Sequence, residues 1–290
     1  MDFTNGASLA AYCKAEGCTI HEAMLHREIE QTAASQGDIM ARLATAYDIM
    51  KASVQSSLTE ELHSMGGLIG GEAKTIMTHI SKTETVCGRV SAKAVAYAMG
   101  VLEVNAAMGL IVAAPTAGSS GIIPGVFLAL QEEFKLSEQA MLNALLCASA
   151  VGYICTRNAT VAGAEGGCQA EVGVASAMAA AAVTEAMGGD AEASLSAAAM
   201  TLSNLLGLVC DPVAGLVESP CQTRNAIGAA NALICAEIAL SGVKNLIPFD
   251  EMTEAMYRVG KSLPPSLRET AQGGCATTPT GCALRKKIFK

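Results

Sequence analysis

"MARLATAYDIMKASV", residues 40–54, decides the fold class. Met40, Leu43, Tyr47, Met50 and Val54 recur at steps of three and four, the spacing that gathers side chains on one face of a helix. A half-buried strand needs period-two alternation, and convincing runs of it are hard to find along this chain. Aromatic residues are only 3% of the sequence and β-branched clusters are few, so the residues that favour strands are scarce. The helical reading extends outward in both directions. Thr19 followed by Glu22 has the spacing of a capping box ahead of Ala23, Met24 and Leu25, which predicts a helix starting near residue 20. Asp190 is placed to cap a helix running to about Leu206, with Gly207 just past its end. The alanine-rich segment 174–200, punctuated by "GGD", reads as helix–turn–helix whose small side chains let neighbours approach closely. The expected fold is therefore all-α. It is read as one large helical domain over 1–290, with residues 1–60 as a more polar helical lead-in and no linker or solenoid-period repeat dividing it.

A chain of 290 residues buries a sizeable core without disulfide staples. Its eleven cysteines are odd in number and irregularly spaced, and no secretory leader opens the sequence. A reducing, cytoplasmic setting is expected, where cysteines beyond the core quota serve metal binding or catalysis more often than cross-linking. A net charge of −8 argues against a nucleic-acid or anionic-membrane surface, which needs a basic patch. The tail "LRKKIFK", 284–290, is the one basic cluster and reads as a solvated terminus.

Residues 106–130, "AAMGLIVAAPTAGSSGIIPGVFLAL", carry no charge, yet Pro115, Pro124 and several glycines break them. A continuous lipid-facing helix is excluded there, because irregular backbone needs protein or water around it. The uncharged run from Gln139 to Thr156 reads as a buried helix of an all-α core, and no membrane span is expected.

Chemistry is expected where glycine and proline interrupt the helices. Four such segments are "SMGGLIGGEAKT" (64–75), "APTAGSSGIIPG" (114–125), "CDPVAGLVESPCQTRNA" (210–226) and "LRETAQGGCATTPTGCAL" (267–284). Loops carried on a rigid scaffold are where sites usually sit. "GAEGGCQAEVG", 163–173, sets a further cysteine between glycine pairs and glutamates. Cys168, Cys210 and Cys221 thus share one kind of neighbourhood, whereas Cys147 and Cys235 lie in apolar helical runs and read as core filler. A buried thiol is by default a small hydrophobe, and that reading stands open for the trio too. If they bind metal, the absence of a C-x₂₋₄-C pair among them disfavours structural zinc. A [4Fe–4S] cluster is the better candidate, since three thiolates leave one iron open as a Lewis acid.

These motifs, in this order, resemble the α chain of the iron–sulfur-dependent bacterial L-serine dehydratases over roughly residues 60–282. The resemblance implies an all-helical catalytic domain holding an oxygen-sensitive [4Fe–4S] cluster through Cys168, Cys210 and Cys221, without pyridoxal phosphate. It implies an L-serine ammonia-lyase of amino-acid degradation, converting L-serine to pyruvate and ammonia by α,β-elimination. The family's base-bearing N-terminal domain has no counterpart here, so the resemblance implies a separate β subunit. Cys275 and Cys282 are not assigned as ligands.

Among other polar residues, Thr116, Ser119 and Ser120 with nearby backbone N–H groups are candidates for the substrate carboxylate, or form a plain interhelical turn. Arg157 and Asn158, isolated after a long uncharged run, are either a carboxylate clamp or a helix C-terminal cap. Glu165 and Glu171 flank Cys168 and are read either as partners for a substrate ammonium or as solvated helix residues. For the base this chain offers His63, Lys74 and Glu165 as candidates, while His21, His26 and His79 read as surface residues. Two alternatives stay open: an iron–sulfur cysteine desulfidase, and a non-catalytic helical binding protein whose cysteines only fill the core.

Overall fold

A computed structural model describes residues 3–290, and helical periodicity is realised along them. Thirteen α-helices form among the described residues, with no strand beyond an isolated bridge between Cys210 and Arg268. The lead-in comprises α1 (Gly6–Glu16), α2 (Ile20–Thr32) and α3 (Gln36–Thr59). There follow α4 (Glu72–Lys82), α5 (Gly88–Ala106), α6 (Ile122–Phe134), α7 (Glu138–Asn158) and the single turn α8 (Gly163–Gly166). The last five are α9 (Val174–Ala186), α10 (Ala191–Asn204), α11 (Cys221–Leu240), α12 (Phe249–Ser262) and α13 (Pro279–Ile288).

Helix α9 is the axis of the packing. Every residue from Val174 to Thr184 is buried, and α6, α7, α10 and α11 surround it. A helix that is apolar on all sides has no solvent face to offer, so it ends up inside. Its alanines keep the surrounding helices close, consistent with the "GGD" turn that separates α9 from α10. In α3, Tyr47, Met50 and Val54 are buried while Met40 and Leu43 are half-buried, and the Tyr47 hydroxyl donates to Gln131 Oε1 at 2.7 Å.

The first uncharged run is broken where its prolines and glycines stand, and the second is a largely buried helix. Residues 107–121 form an irregular connection between α5 and α6. The run from Gln139 lies in α7, which by length and composition alone is long and apolar enough to cross a membrane; 67% of its apolar window is buried inside the protein, against α2 and α9 among others.

The first N–H groups of a helix lack intrahelical acceptors, and this chain supplies several from far away. Asp250 accepts from Gly6 N–H (2.6 Å) and Ala7 N–H (2.9 Å) at the start of α1. Glu185 accepts from Ile20 N–H (2.6 Å) and His21 N–H (3.2 Å) at the start of α2, and also contacts His21 Nδ1 at 2.9 Å. Local caps supplement these: the Thr19–Glu22 capping box forms, and Asp190 caps α10 through Ala193 N–H. Helix α10 ends at Asn204, two residues before the expected Leu206, with Gly207 left-handed at φ 85°.

Close approach of α5 and α6 depends on glycine. A Cβ at Gly125 would lie 2.7 Å from both Ala94 O and Ala98 N, backbone atoms of α5. Gly125→Ala should therefore destabilise the protein by about 1–3 kcal/mol through overpacking, despite a helix-propensity gain of about 1 kcal/mol. The urea midpoint reads this directly, and a midpoint equal to or above wild type would refute tight α5–α6 contact.

Candidate functional site

Three irregular segments meet at the end of the bundle where α9 and α11 begin. The first carries Cys168 between α8 and a π-helical turn, Gln169–Gly173, that leads into α9. Gln169 fixes it with both ends of its amide: Oε1 accepts from Gly207 N–H (2.8 Å), and Nε2 donates to Gly166 O (2.9 Å) and Met256 O (3.0 Å). The second segment carries Cys210, whose N–H donates to Leu267 O (2.9 Å) and whose carbonyl accepts from Glu269 N–H (2.7 Å). The third places Cys221 as the first residue of α11.

A buried ion pair ties the last two together. Arg224, one turn into α11, approaches Asp211 Oδ1 at 2.7 Å and donates from Nη1 to Val209 O at 2.8 Å. The other oxygen of Asp211 accepts the Cys275 N–H at 2.6 Å. Burial opposes ionisation of Asp211, but the Cys275 N–H and the Arg224 guanidinium outweigh it and hold the carboxyl below its ordinary range.

Cys168, Cys210 and Cys221 are all buried, and each is within electrostatic reach of the other two. Burial is the main reason their thiols titrate high, about 12 for Cys168 and Cys221. Glu171 pushes all three in the same direction, and Arg224 works against it. Glu171 itself is raised by burial, with the Thr116 hydroxyl bond acting the other way. Thr116 Oγ1 donates to Glu171 Oε1 at 2.6 Å and lies 3.2 Å from Ser119 Oγ. Glycine leaves room for this carboxylate: a Cβ at Gly163 would sit 2.5 Å from Glu171 Oε2 and 3.4 Å from Cys210 Sγ. Asn225 holds the threonine loop in place, accepting from Gly121 N–H (3.1 Å) and donating to Gly118 O (2.8 Å).

The chain matches the family model described as serine dehydratase alpha chain over residues 15–276. It is similar to the "Probable L-serine dehydratase, alpha chain" of Bacillus subtilis, 47% identical over 99% of this chain and 95% of that one. It is 45% identical to the "L-serine dehydratase, alpha chain" of Peptoniphilus asaccharolyticus, over 96% of this chain and 95% of that one. Against "L-serine dehydratase TdcG" of Escherichia coli the identity is 35%, and 95% of this chain matches only 62% of the longer relative. The chain belongs to the serine dehydratase alpha chain family.

In this serine dehydratase alpha-chain member, the other residues singled out from sequence fall in different places. Ser119 and Ser120 are buried; Ser120 Oγ donates within its own turn to Ala117 O at 2.8 Å. His63 is exposed, 3.8 Å from Glu61, and the Lys74 ammonium donates to the Glu60 carbonyl at the end of α3. Glu165 is exposed. Arg157 lies 3.5 Å from the Tyr153 hydroxyl, and Asn158 Nδ2 donates to Thr4 O at 2.8 Å. Cys147 and Cys235 are fully buried in the core, Cys275 is half-buried beside Asp211, and Cys282 is exposed.

Several residues escaped the sequence reading. Asp211 and Arg224 stand inside a motif read only for its cysteines; the signal was an opposite-charge pair in a stretch whose one other charge is Glu218. Glu103, a lone charge in the apolar run "VLEVNAAM", is 1% exposed. It accepts from Gly71 N–H (3.0 Å), Ala73 N–H (2.9 Å) and Gln222 Nε2 (3.1 Å). Gln222 also reaches Glu72 Oε2 at 3.2 Å, so one amide next to Cys221 bridges two carboxyls. Burial pushes Glu103 upward. Glu218, also 1% exposed, accepts from Ser64 Oγ (2.7 Å), Gly66 N–H (2.6 Å) and Leu68 N–H (2.9 Å). These two acids anchor the glycine-rich loop 64–71 beside the cysteine-bearing segments.

Among the described residues, no three Cys, His, Asp or Glu side chains close around a single ion. Tetrahedral thiolate coordination of one metal needs sulfurs about 3.8 Å apart. A cluster with each thiolate on a different iron asks for a wider nest, three soft sulfur donors and small residues around them. Cys168, Cys210 and Cys221 supply three buried soft donors, and a Cβ at Gly163 would sit 3.4 Å from Cys210 Sγ, so in donor chemistry and small neighbours they suit such a group.

Removing one half of the Asp211–Arg224 pair leaves a guanidinium whose side chain is 14% exposed without its counter-charge. Asp211→Ala should cost about 3–5 kcal/mol, measured by urea unfolding. Because the folded carboxyl is depressed, its contribution is present above the unfolded value of about 3.9 and is lost as pH falls through the lower folded value. Asp211→Asn should flatten the stability–pH curve in that acid window, and an unchanged curve would contradict the ion pair.

Proposed function

We propose that the chain is the α subunit of an L-serine ammonia-lyase, producing pyruvate and ammonia from L-serine by α,β-elimination in a reducing cytoplasm. The observation that carries this reading is the meeting of three buried cysteines from three separate segments around Glu171, Thr116 and Arg224, in a chain whose relatives bear the L-serine dehydratase name. Cys168, Cys210 and Cys221 would hold a [4Fe–4S] cluster, with no pyridoxal phosphate. When bound, such a cluster supplies Lewis acidity at an iron free of protein ligands, suited to a poor leaving group such as hydroxide.

The chain's own residues have separate tasks. Arg224 favours the thiolate state that metal ligation requires, and its bond to Val209 O holds the Cys210 segment against α11. Glu171 presents a carboxylate to the substrate ammonium, oriented by Thr116. With the Thr116 proton given to Glu171, the turn it shares with Ser119 meets the substrate carboxylate through the Ser119 hydroxyl and backbone N–H groups; Ser120 stabilises that turn. Arg157 and Asn158, engaged with Tyr153 and Thr4, serve more simply at the end of α7. The three candidate bases are placed for solvent or for the end of α3, which supports a base delivered by a separate β chain. Without it, the Cα proton has no positioned acceptor.

Cys168→Ser, Cys210→Ser and Cys221→Ser should each abolish stoichiometric cluster binding, because a hydroxyl replaces a soft thiolate, whereas Cys147→Ser should leave it intact. Iron and sulfide analysis after anaerobic reconstitution decides the matter; a full cluster with normal turnover in any of the three would remove that residue from the ligand set. Glu171→Gln should raise KM for L-serine about tenfold or more, as loss of a charged hydrogen bond implies. An unchanged KM would take Glu171 out of substrate binding. The reconstituted chain should gain about 10²- to 10⁴-fold in pyruvate formation when its β chain is added, the usual contribution of a general base; full activity alone would place the base on this chain.

A further inference from the structure

We propose that the exposed apolar face made by Met65, Met108 and Leu110, with the groove beside it, is the seat of that second chain. The inference rests on the dehydratase reading and deepens it by placing the partner. Met65, Met108 and Leu110 are 72%, 77% and 71% exposed. The two loops that carry them are joined, Met65 N–H donating to Ala106 O at 2.9 Å. Met108 is held at φ 62°, a backbone region costly to any residue with a Cβ, and its side chain is spent on solvent. Next to them runs a groove of about 570 Å³ whose apolar wall includes Ile49, Leu62, Val104 and Leu110, with the acids Asp48 and Glu60 also lining it. Exposed apolar side chains gathered beside polar ones mark an interaction site, and methionine adapts readily to a partner's shape.

Two observations select the occupant. Longer relatives such as the Escherichia coli protein are matched over only 62% of their length, while the alpha-chain relatives are matched over 95%. The remaining part of the longer proteins must pack against the counterpart of this chain, so an α chain by itself leaves that contact face bare. The face must also reach the cysteine nest, and this one does. Directly after Met65, Gly66 N–H donates to Glu218, three residues before Cys221; Leu110 precedes by six residues Thr116, which binds Glu171. A second apolar strip, with Ile234 on α11 (56% exposed) and Phe134 on α6 (49% exposed), lacks this connection. Ile234 lies thirteen residues along α11 from Cys221, roughly 20 Å at the helical rise.

The test uses the full chain and, as the probe, the protein of the same genome whose sequence matches the part of the Escherichia coli relative outside the region shared with this chain. Affinity is measured by calorimetry on metal-free protein, with circular dichroism confirming that each variant is folded. The Met65→Glu/Met108→Glu double variant should bind roughly 30-fold or more weakly, and Ile234→Glu should bind like wild type. Unchanged binding by the double variant, loss of binding by Ile234→Glu, or no complex with wild type would each overturn the proposal. So would self-association of this chain that the double variant abolishes, because the face would then belong to a second copy. If the complex forms through this face but the reconstituted pair does not turn over L-serine, the dehydratase reading fails and the docking face survives.

Discussion

The pairing of Asp211 with Arg224 is the constraint on which the site depends. Each residue sits within three positions of a cysteine, and together they join the Cys210 segment, the first turn of α11 and the C-terminal loop through Cys275 N–H. A pair with so little exposure is expensive to desolvate, and it is tolerated because Asp211 Oδ2 accepts the Cys275 N–H, Oδ1 faces the Arg224 charge, and the guanidinium also donates to Val209 O. The same guanidinium is the positive charge that the three thiols share. One interaction thereby fixes the geometry of the nest and biases its electrostatics.

Buried acids do a comparable job elsewhere. Glu103 and Glu218 accept backbone N–H groups of the glycine-rich loop 64–71, and Glu185 and Asp250 accept those at the starts of α2 and α1. A helix start and a glycine-rich turn both expose unpaired donors, and a buried carboxylate needs several of them. Each requirement meets the other, which is how a chain of modest charge holds irregular loops at defined positions on a helical scaffold. Small residues provide the other condition. Alanine along α9 and glycine at 125 and 163 let backbone, carboxylate and thiol approach where a larger side chain would intrude.

Legibility followed the range of the interaction. The helix of residues 40–54, the Thr19–Glu22 box, the Asp190 cap and the break between α5 and α6 were readable because spacing, capping and breaker residues act over a few positions. Glu171 was ambiguous for the opposite reason. Its sequence neighbours suit a solvated helix as well as a site, and what distinguishes the two is Thr116 and Gly118, more than fifty residues away, which close over it. His63 and Lys74 gained plausibility from lying near glycines, yet their side chains turn toward Glu61 and the end of α3.

By itself the sequence determined that the chain is helical, where its helices begin and break, which segments depart from regularity, and, through its motifs, the family to which it belongs. The tertiary structure alone decided which of those segments meet. Periodicity is written in each turn of helix, whereas the convergence of residues 168, 210 and 221 follows from how α9, α11 and the C-terminal loop pack together. The residues that organise it, Asp211, Arg224, Glu103 and Glu171, are polar side chains whose roles exist only once burial removes water and leaves them no partners except one another, the side chains of Thr116 and Gln222, and the backbone of distant loops.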